Sequence, residues 1–319
     1  MFERILVPID ASGESLLALP FACQLAEATG ARLCLLRVAL AYEFATAGST
    51  SPSGSTFPRI AEGPICAAGP PAEEVIVRAE RASDIPAAIV AEARARGADL
   101  IAMATHARSG LDRLAHPSVA EAVLASTTVP LLLVNATRGQ LGDGVAGPVV
   151  VAVDGTPGGA AALPVAAQYA RALDAEVLLL RVVAPRLAGE DSSDLRFDQA
   201  ALADAQRYLD RLAAQLSDCG IPAQGRALFG PVAETIATVA EQVRAGAIAL
   251  STHSLRGMAR LVRGSVADGL LRAESCPILL VRRDGGRAAH PASAGYGAPV
   301  THQAVAPHTT MGYTPGDPR

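Results

Sequence analysis

Lysine is missing from this chain: all 27 basic residues are arginine. Chemistry that needs a side-chain amine is thereby excluded, including Schiff bases, lysine general bases and the lysine of a P-loop. Tryptophan is absent too, and only 3% of the residues are aromatic, which argues against a surface that grips bases or sugars by stacking. The five cysteines (Cys23, Cys34, Cys66, Cys219, Cys276) are odd in number, and no two are spaced as C-x-x-C. A disulfide framework or a thiolate zinc site is therefore not expected. Charge of one sign is also lacking. The net charge is −4 and the pI is near 5.9, so no electrostatic footprint for nucleic acid or anionic membrane stands out. No apolar run approaches the roughly 18 residues that cross a bilayer. The N-terminus enters Arg4-Ile5-Leu6-Val7 at once, without a basic segment ahead of a long apolar stretch. These absences lead to the expectation of a soluble, cytoplasmic protein.

What is present is apolar and repetitive. Half of the 319 residues are hydrophobic and 18% are charged, enough to bury cores and long enough for about two domains. The run Arg4-Ile5-Leu6-Val7-Pro8-Ile9-Asp10 recurs as Pro148-Val149-Val150-Val151-Ala152-Val153-Asp154, 144 positions on. Leu33-Cys34-Leu35-Leu36-Arg37-Val38 recurs at the same offset as Val177-Leu178-Leu179-Leu180-Arg181-Val182. Thr105-His106 matches Thr252-His253, and Pro130–Val134 matches Pro277–Val281, both at 147. Four anchors in one order identify a tandem duplication with a net gain of three residues inside the second copy.

Within each copy, short apolar runs alternate with amphipathic ones. In the second copy the runs 148–153, 176–182, 221–228, 247–251 and 277–281 read as strands apolar on both faces, the pattern of a parallel sheet covered on each side. Leu202, Ala205, Leu209, Leu212 and Leu216 mark a helix over 198–216 that Gly220 and Pro222 end. The expected fold is α/β: two tandem doubly wound, five-stranded parallel sheets. The boundaries predicted are 1–137 and 147–283, with a short linker between them. Residues 41–72 carry too much Ser, Gly, Thr and Pro for a helix and read as a loop in its place. The tail, 284–319, is expected to be disordered; its His290, His302 and His308 are too far apart for a compact metal motif.

Ligands of such sheets sit at the carboxyl ends of the strands. Asp10 and Asp154 fall there, either as helix N-caps or as carboxylates that accept a hydrogen bond from a base or ribose. The loop after the fourth strand of the second copy, Ser251 to Gly264-Ser265, opens a helix. It is either a serine N-cap or a set of backbone N–H donors for phosphate, with Arg256, Arg260 and Arg263 nearby. His106 and His253 have no nucleophile or base at a recognisable spacing and read as structural.

The Thr-His-x-x-x-Gly loop, the Gly-Ser helix start, the Pro-Ile-Leu-Leu-Val strand, the opening Val-Asp and Leu-Leu-Arg-Val together resemble the universal stress protein family, from residue 3 to about 282. The resemblance implies a Rossmann-like fold of the adenine nucleotide alpha hydrolase type, with ATP or AMP as ligand (Mg2+ accompanying ATP). It also implies that 130–134 and 277–281 pair, since some members join through their last strands. The motif of the ATP-binding branch, G-x2-G-x9-G-[S/T], falls on Ser251, Ser254, Gly264 and Ser265; Asp154 takes the adenosine-binding place, and Val182 the one whose backbone meets adenine. The two serines bring Cβ atoms where backbone approaches phosphate, and hydroxyl donors with them. In the first copy Asp10, Val38 and Ser118 survive, but the three glycines are Ala104, Ala107 and Pro117. Proline removes a donor from the turn, so binding is expected mainly in the second copy. The resemblance thus implies a nucleotide-responsive stress module without dedicated catalysis, with a protein partner or a homo-oligomer open. The rival readings are a nucleotide-independent scaffold and a slow ATPase or nucleotidyl transferase.

Overall fold

The computed structural model describes residues 1–10, 12–42, 72–105, 118–136, 147–184, 192–253, 266–273 and 276–283. The loop expected at 41–72 falls almost wholly outside these residues, and the linker and tail do too. In the first copy the order is β1 (Arg4–Pro8), α1 (Leu19–Thr29), β2 (Arg32–Leu40), β3 (Ala72–Ala79), α2 (Ile85–Ala95), β4 (Leu100–Thr105), α3 (Val119–Ser126) and β5 (Leu131–Asn135). The second copy continues with β6 (Val149–Ala152), α4 (Leu163–Ala172), β7 (Val177–Val183), α5 (Ser192–Asp218), β8 (Ala223–Phe229), α6 (Val232–Gln242), β9 (Ala247–His253), α7 (Val266–Ala273) and β10 (Ile278–Arg283).

Local chemistry explains the elements. A short 3-10 helix (Gly13–Ala18, Gly159–Ala162) leads into α1 and α4, each with proline in its first turn, where the missing N–H costs nothing. The helix expected over 198–216 extends to 192–218. Beyond it Gly220 adopts φ +75° and the Ile221 N–H returns to the Leu216 carbonyl, a glycine C-cap. Ala205, Leu209 and Leu216 are buried on its inner face.

All ten strands lie in one sheet, ordered β3-β2-β1-β4-β5-β10-β9-β6-β7-β8. The second copy reproduces the pairing of the first: Leu6 sits opposite Cys34 and Val150 opposite Leu178. Every pairing is parallel except at the centre, where β5 and β10 run antiparallel with Leu132 opposite Leu279. The intrachain pairing expected from the last strands is thus present, and it closes two edges that would otherwise be open.

Alternate residues along each strand enter two apolar layers. Ile5, Val7, Leu132, Val149, Val151 and Leu279 pack on one face with α1, α4 and α5. Leu6, Leu131, Leu133, Val150, Ile278 and Leu280 pack on the other with α2, α3, α6 and α7. Both layers run through both copies, which belong to one compact unit, Met1–Gly286.

The two outer edges are managed differently. On β3, Glu73, Glu74 and Arg78 are exposed; Arg96 pairs with Glu73 at 2.6 Å and Glu92 at 2.9 Å. On β8 the side-chain amide of Gln206 takes the place of a further strand: Nε2 donates to the Gly225 carbonyl at 2.9 Å, and Oε1 accepts the Ala227 N–H at 2.9 Å.

One expectation about cysteine is corrected. Cys23 is disulfide-bonded, whereas Cys34, Cys219 and Cys276 are free thiols. Among the described residues no helix is long and apolar enough to cross a membrane.

Candidate functional site

Each copy has a cavity at the carboxyl ends of its first, second and fourth strands, beside the point where the strand order reverses. The sheet topology puts it there. The first strand lies between the second and the fourth, so the chain leaves in opposite directions and opens a crevice above.

In the second copy β6 ends and the chain turns at Val153-Asp154-Gly155-Thr156. Gly155 adopts φ +83°, a left-handed conformation that suits glycine, and the Arg181 guanidinium packs where its side chain would stand. Asp154 Oδ1 accepts the Thr156 N–H at 2.8 Å and the Thr156 hydroxyl at 2.6 Å. The Thr156 hydroxyl oxygen in turn accepts the Gly159 N–H at 2.9 Å. Gly159 is needed because a Cβ there would overlap the Asp154 carboxylate.

Asp154 Oδ2 faces the other way and accepts Arg283 Nη2 at 2.6 Å. The same guanidinium donates from Nε to Ser251 Oγ at 3.2 Å, and the Ser251 hydroxyl donates to the Gly159 carbonyl at 2.9 Å. Burial pushes the Asp154 carboxyl up, but the hydrogen bonds from Thr156 and Arg283 outweigh it and bring it from 3.8 to about 2. At neutral pH it is therefore a carboxylate. The cavity beside it measures about 440 Å³ and is lined by Asp154, Val182, Leu250, Ser251, Val266 and Arg283, among others. That size suits a small ligand.

The first copy repeats the turn with different atoms. Asp10 Oδ1 accepts the Ser12 N–H at 2.8 Å and the Ser12 hydroxyl at 2.5 Å. The Ser15 hydroxyl oxygen accepts the Asp10 N–H at 3.1 Å. Asp10, Val38, Met103, Thr105 and Ser118 line a smaller cavity of about 250 Å³. Ser118 caps α3: its hydroxyl accepts the Glu121 N–H at 3.1 Å, and its own N–H donates to Glu121 Oε2 at 3.0 Å. This capping box uses the helix-end donors that an anion would need.

The structure therefore brings Asp154, Val182 and Ser251 to one cavity and Asp10, Val38 and Ser118 to the other. Ser254, Gly264, Ser265 and His106 lie outside the described residues, as does the side chain of His253. The N-cap reading of the aspartates is corrected. In the first copy the cap is Ser12, and Asp10 fastens that cap from outside; Asp154 treats Thr156 likewise. Sequence reasoning missed Arg283. The offset of 147 sets it against Ala136, and that difference between the copies was its available signal. Among the described residues no group of three His, Cys, Asp or Glu side chains could hold a metal ion.

The universal stress protein family model matches residues 1–135 and 146–282. A universal stress protein of Methanocaldococcus jannaschii is 27% identical over 139 residues, covering 42% of this chain and 81% of the relative. The crystal structure of a universal stress protein from Archaeoglobus fulgidus superposes with a TM-score of 0.62 at 18% identity, covering 88% of this chain and 97% of that one. A functionally unknown protein from Pseudomonas aeruginosa superposes with a TM-score of 0.61 at 18% identity, covering 89% and 93%. At that identity the superpositions speak for the fold alone.

Proposed function

The chain belongs to the universal stress protein family, and from that premise we propose that it is a cytoplasmic stress-response module that binds an adenine nucleotide, ATP or AMP, mainly in its second repeat and without dedicated catalysis. The observation that carries this reading is the second cavity. There an ionised carboxylate (Asp154), a strand edge (Val182) and a hydroxyl (Ser251) converge on a space of about 440 Å³. In this reading Asp154 holds the nucleoside hydroxyls, and the backbone at Val182 meets the base. Ser251, Ser254, Gly264 and Ser265 cradle the phosphates, with Mg2+ accompanying ATP. The first cavity is smaller, and its helix-end donors are used within α3, which favours the second repeat. Repeats bounded at 1–137 and 147–283 fit this division of labour.

The rival reading is a scaffold that ignores nucleotides and works through a protein partner or a second copy. The Arg283–Asp154 ion pair favours it, because the carboxylate already has a partner. Titration calorimetry with ATP and with AMP separates the two. Heat from the unaltered protein, lost in Asp154→Ala and kept in Asp10→Ala, is the expected result. No heat and no thermal shift at millimolar nucleotide would leave the scaffold.

A further inference from the structure

Arg283 stands where the family pattern asks for nothing and the first repeat has Ala136. Strand β10 continues in register with β9 to this residue, opposite His253, so its side chain starts from a fixed strand end. It then crosses β9 to reach the turn after β6. Its Cδ packs against Gly158, Nε meets Ser251 and Nη2 meets Asp154. Only 13% of the side chain is exposed, against 46% for Asp154. One guanidinium thus touches both ends of the proposed site: the carboxylate at the nucleoside end and the hydroxyl at the first phosphate-loop position.

We propose that Arg283 makes the second pocket select nucleoside phosphates over uncharged nucleosides, by exchanging its Asp154 carboxylate for a ligand phosphate. The inference rests on the nucleotide-binding reading above. Asp154 Oδ1 is held twice by Thr156, so Oδ2 is the oxygen left to meet a ligand hydroxyl, and Arg283 holds it. A nucleoside that competes for Oδ2 weakens this ion pair and brings no anion in exchange. A nucleoside phosphate brings its own anion. Its oxygens match the planar fork of the guanidinium at least as well as a carboxylate does. The arginine passes to the phosphate while Asp154, the more exposed partner, turns to the hydroxyls and to solvent. This exchange also offsets the loss of two motif glycines at Ser251 and Ser254, in a chain with no lysine to supply a cation. Among the described residues no arginine contacts Asp10, so the first repeat lacks the device.

The test is calorimetric titration of the full chain with AMP and with adenosine. It is made on the unaltered protein, Arg283→Gln and Arg283→Lys, with circular dichroism and thermal melts to establish that each is folded. The unaltered protein should prefer AMP by about tenfold or more, a preference that weakens as salt rises. Arg283→Gln should weaken AMP, leave adenosine equal or tighter, and bring the ratio to about one with little salt dependence. Arg283→Lys should recover part of the preference. An unchanged ratio in Arg283→Gln overturns the exchange. Equal tightening of both ligands in that variant also overturns it, because Arg283 would then be a plain plug. Equal binding of both ligands by the unaltered protein refutes the selection and leaves the nucleotide reading standing. Binding of neither ligand by any form removes the nucleotide reading, and the inference with it.

Discussion

Asp10 and Asp154 occupy equivalent places, each fastened through Oδ1 by the residue two positions on, Ser12 or Thr156. What reaches their other oxygen differs. Arg283 comes to Asp154 from the last strand of its own repeat, while the corresponding Ala136 has nothing to reach with. The helix that follows the fourth strand differs as well. In the first repeat Pro117 precedes its start and Glu121 closes its capping box. The second keeps Gly264-Ser265 at that place. Duplication preserved the bond from the aspartate to the hydroxyl two positions on and let the charge around it diverge. Among the described residues one copy has a carboxylate with no arginine against it, and the other has an ion pair beside a larger cavity.

The largest effect should come from the seam that makes the two repeats one sheet. Leu132 and Leu279 are opposite each other and fully buried. Leu132→Ala or Leu279→Ala should each cost about 2–5 kcal/mol, and the pair should be non-additive. Denaturant unfolding should remain a single transition in both variants. Two transitions, with one of them unshifted, would show that the repeats fold independently.

Next in size is the turn itself. Gly159→Ala drives a methyl into the Asp154 carboxylate and should cost about 1–3 kcal/mol. The matching residue of the first repeat is already Ser15, so Ser15→Ala should lose only the hydroxyl's hydrogen bonds with Asp10 and Ser12, about 1 kcal/mol. Equal losses in urea titrations would contradict the closer packing assigned to the second turn.

The outer edges offer a smaller contrast. Gln206→Ala strips both backbone partners from β8 and should cost about 1 kcal/mol. It should also promote concentration-dependent association visible in light scattering, because a bare edge pairs readily. Removing a charge from β3, as in Glu74→Ala, should leave folding stability almost unchanged.

Smallest is the acid dependence of Asp154. Its carboxyl sits at about 2 in the folded protein against an ordinary 3.8. The stabilisation is therefore complete above the upper value and is lost as pH falls through the lower one. The group is well exposed, so solvent screening holds its share to about 1 kcal/mol or less. Asp154→Asn should remove that share of the acid limb in denaturation measured across pH. Identical acid limbs in the unaltered protein and Asp154→Asn would remove Arg283 as a stabilising partner.

Much of this was readable along the chain. The strand runs of the second copy and the helix over 198–216 occur, because apolar periodicity reports local structure directly, and the pairing of 130–134 with 277–281 occurs as the family resemblance implied. Asp154, Val182 and Ser251 line one cavity; the end of a strand pointed to the first, and the family resemblance to the other two. Arg283 was not readable, since it lies on a strand that carries no motif and acts across 129 positions of sequence. Gln206 looked like one polar residue among many on an exposed helix face. The bond at Cys23 escaped because cysteine pairing depends on which thiols meet in space.

Local patterns along the chain are enough to read the duplication and the order of strands and helices. These rest on short-range patterns: apolar runs, turn residues and matched spacing. Tertiary packing settled how the copies join: β5 and β10 run antiparallel with Leu132 opposite Leu279, completing one ten-stranded sheet. It alone decided, too, that an arginine of the last strand comes to rest on the aspartate of the sixth. Strand order sets such contacts, and strand order is chosen by burying both faces of the central strands at once, a condition no local stretch of sequence can express.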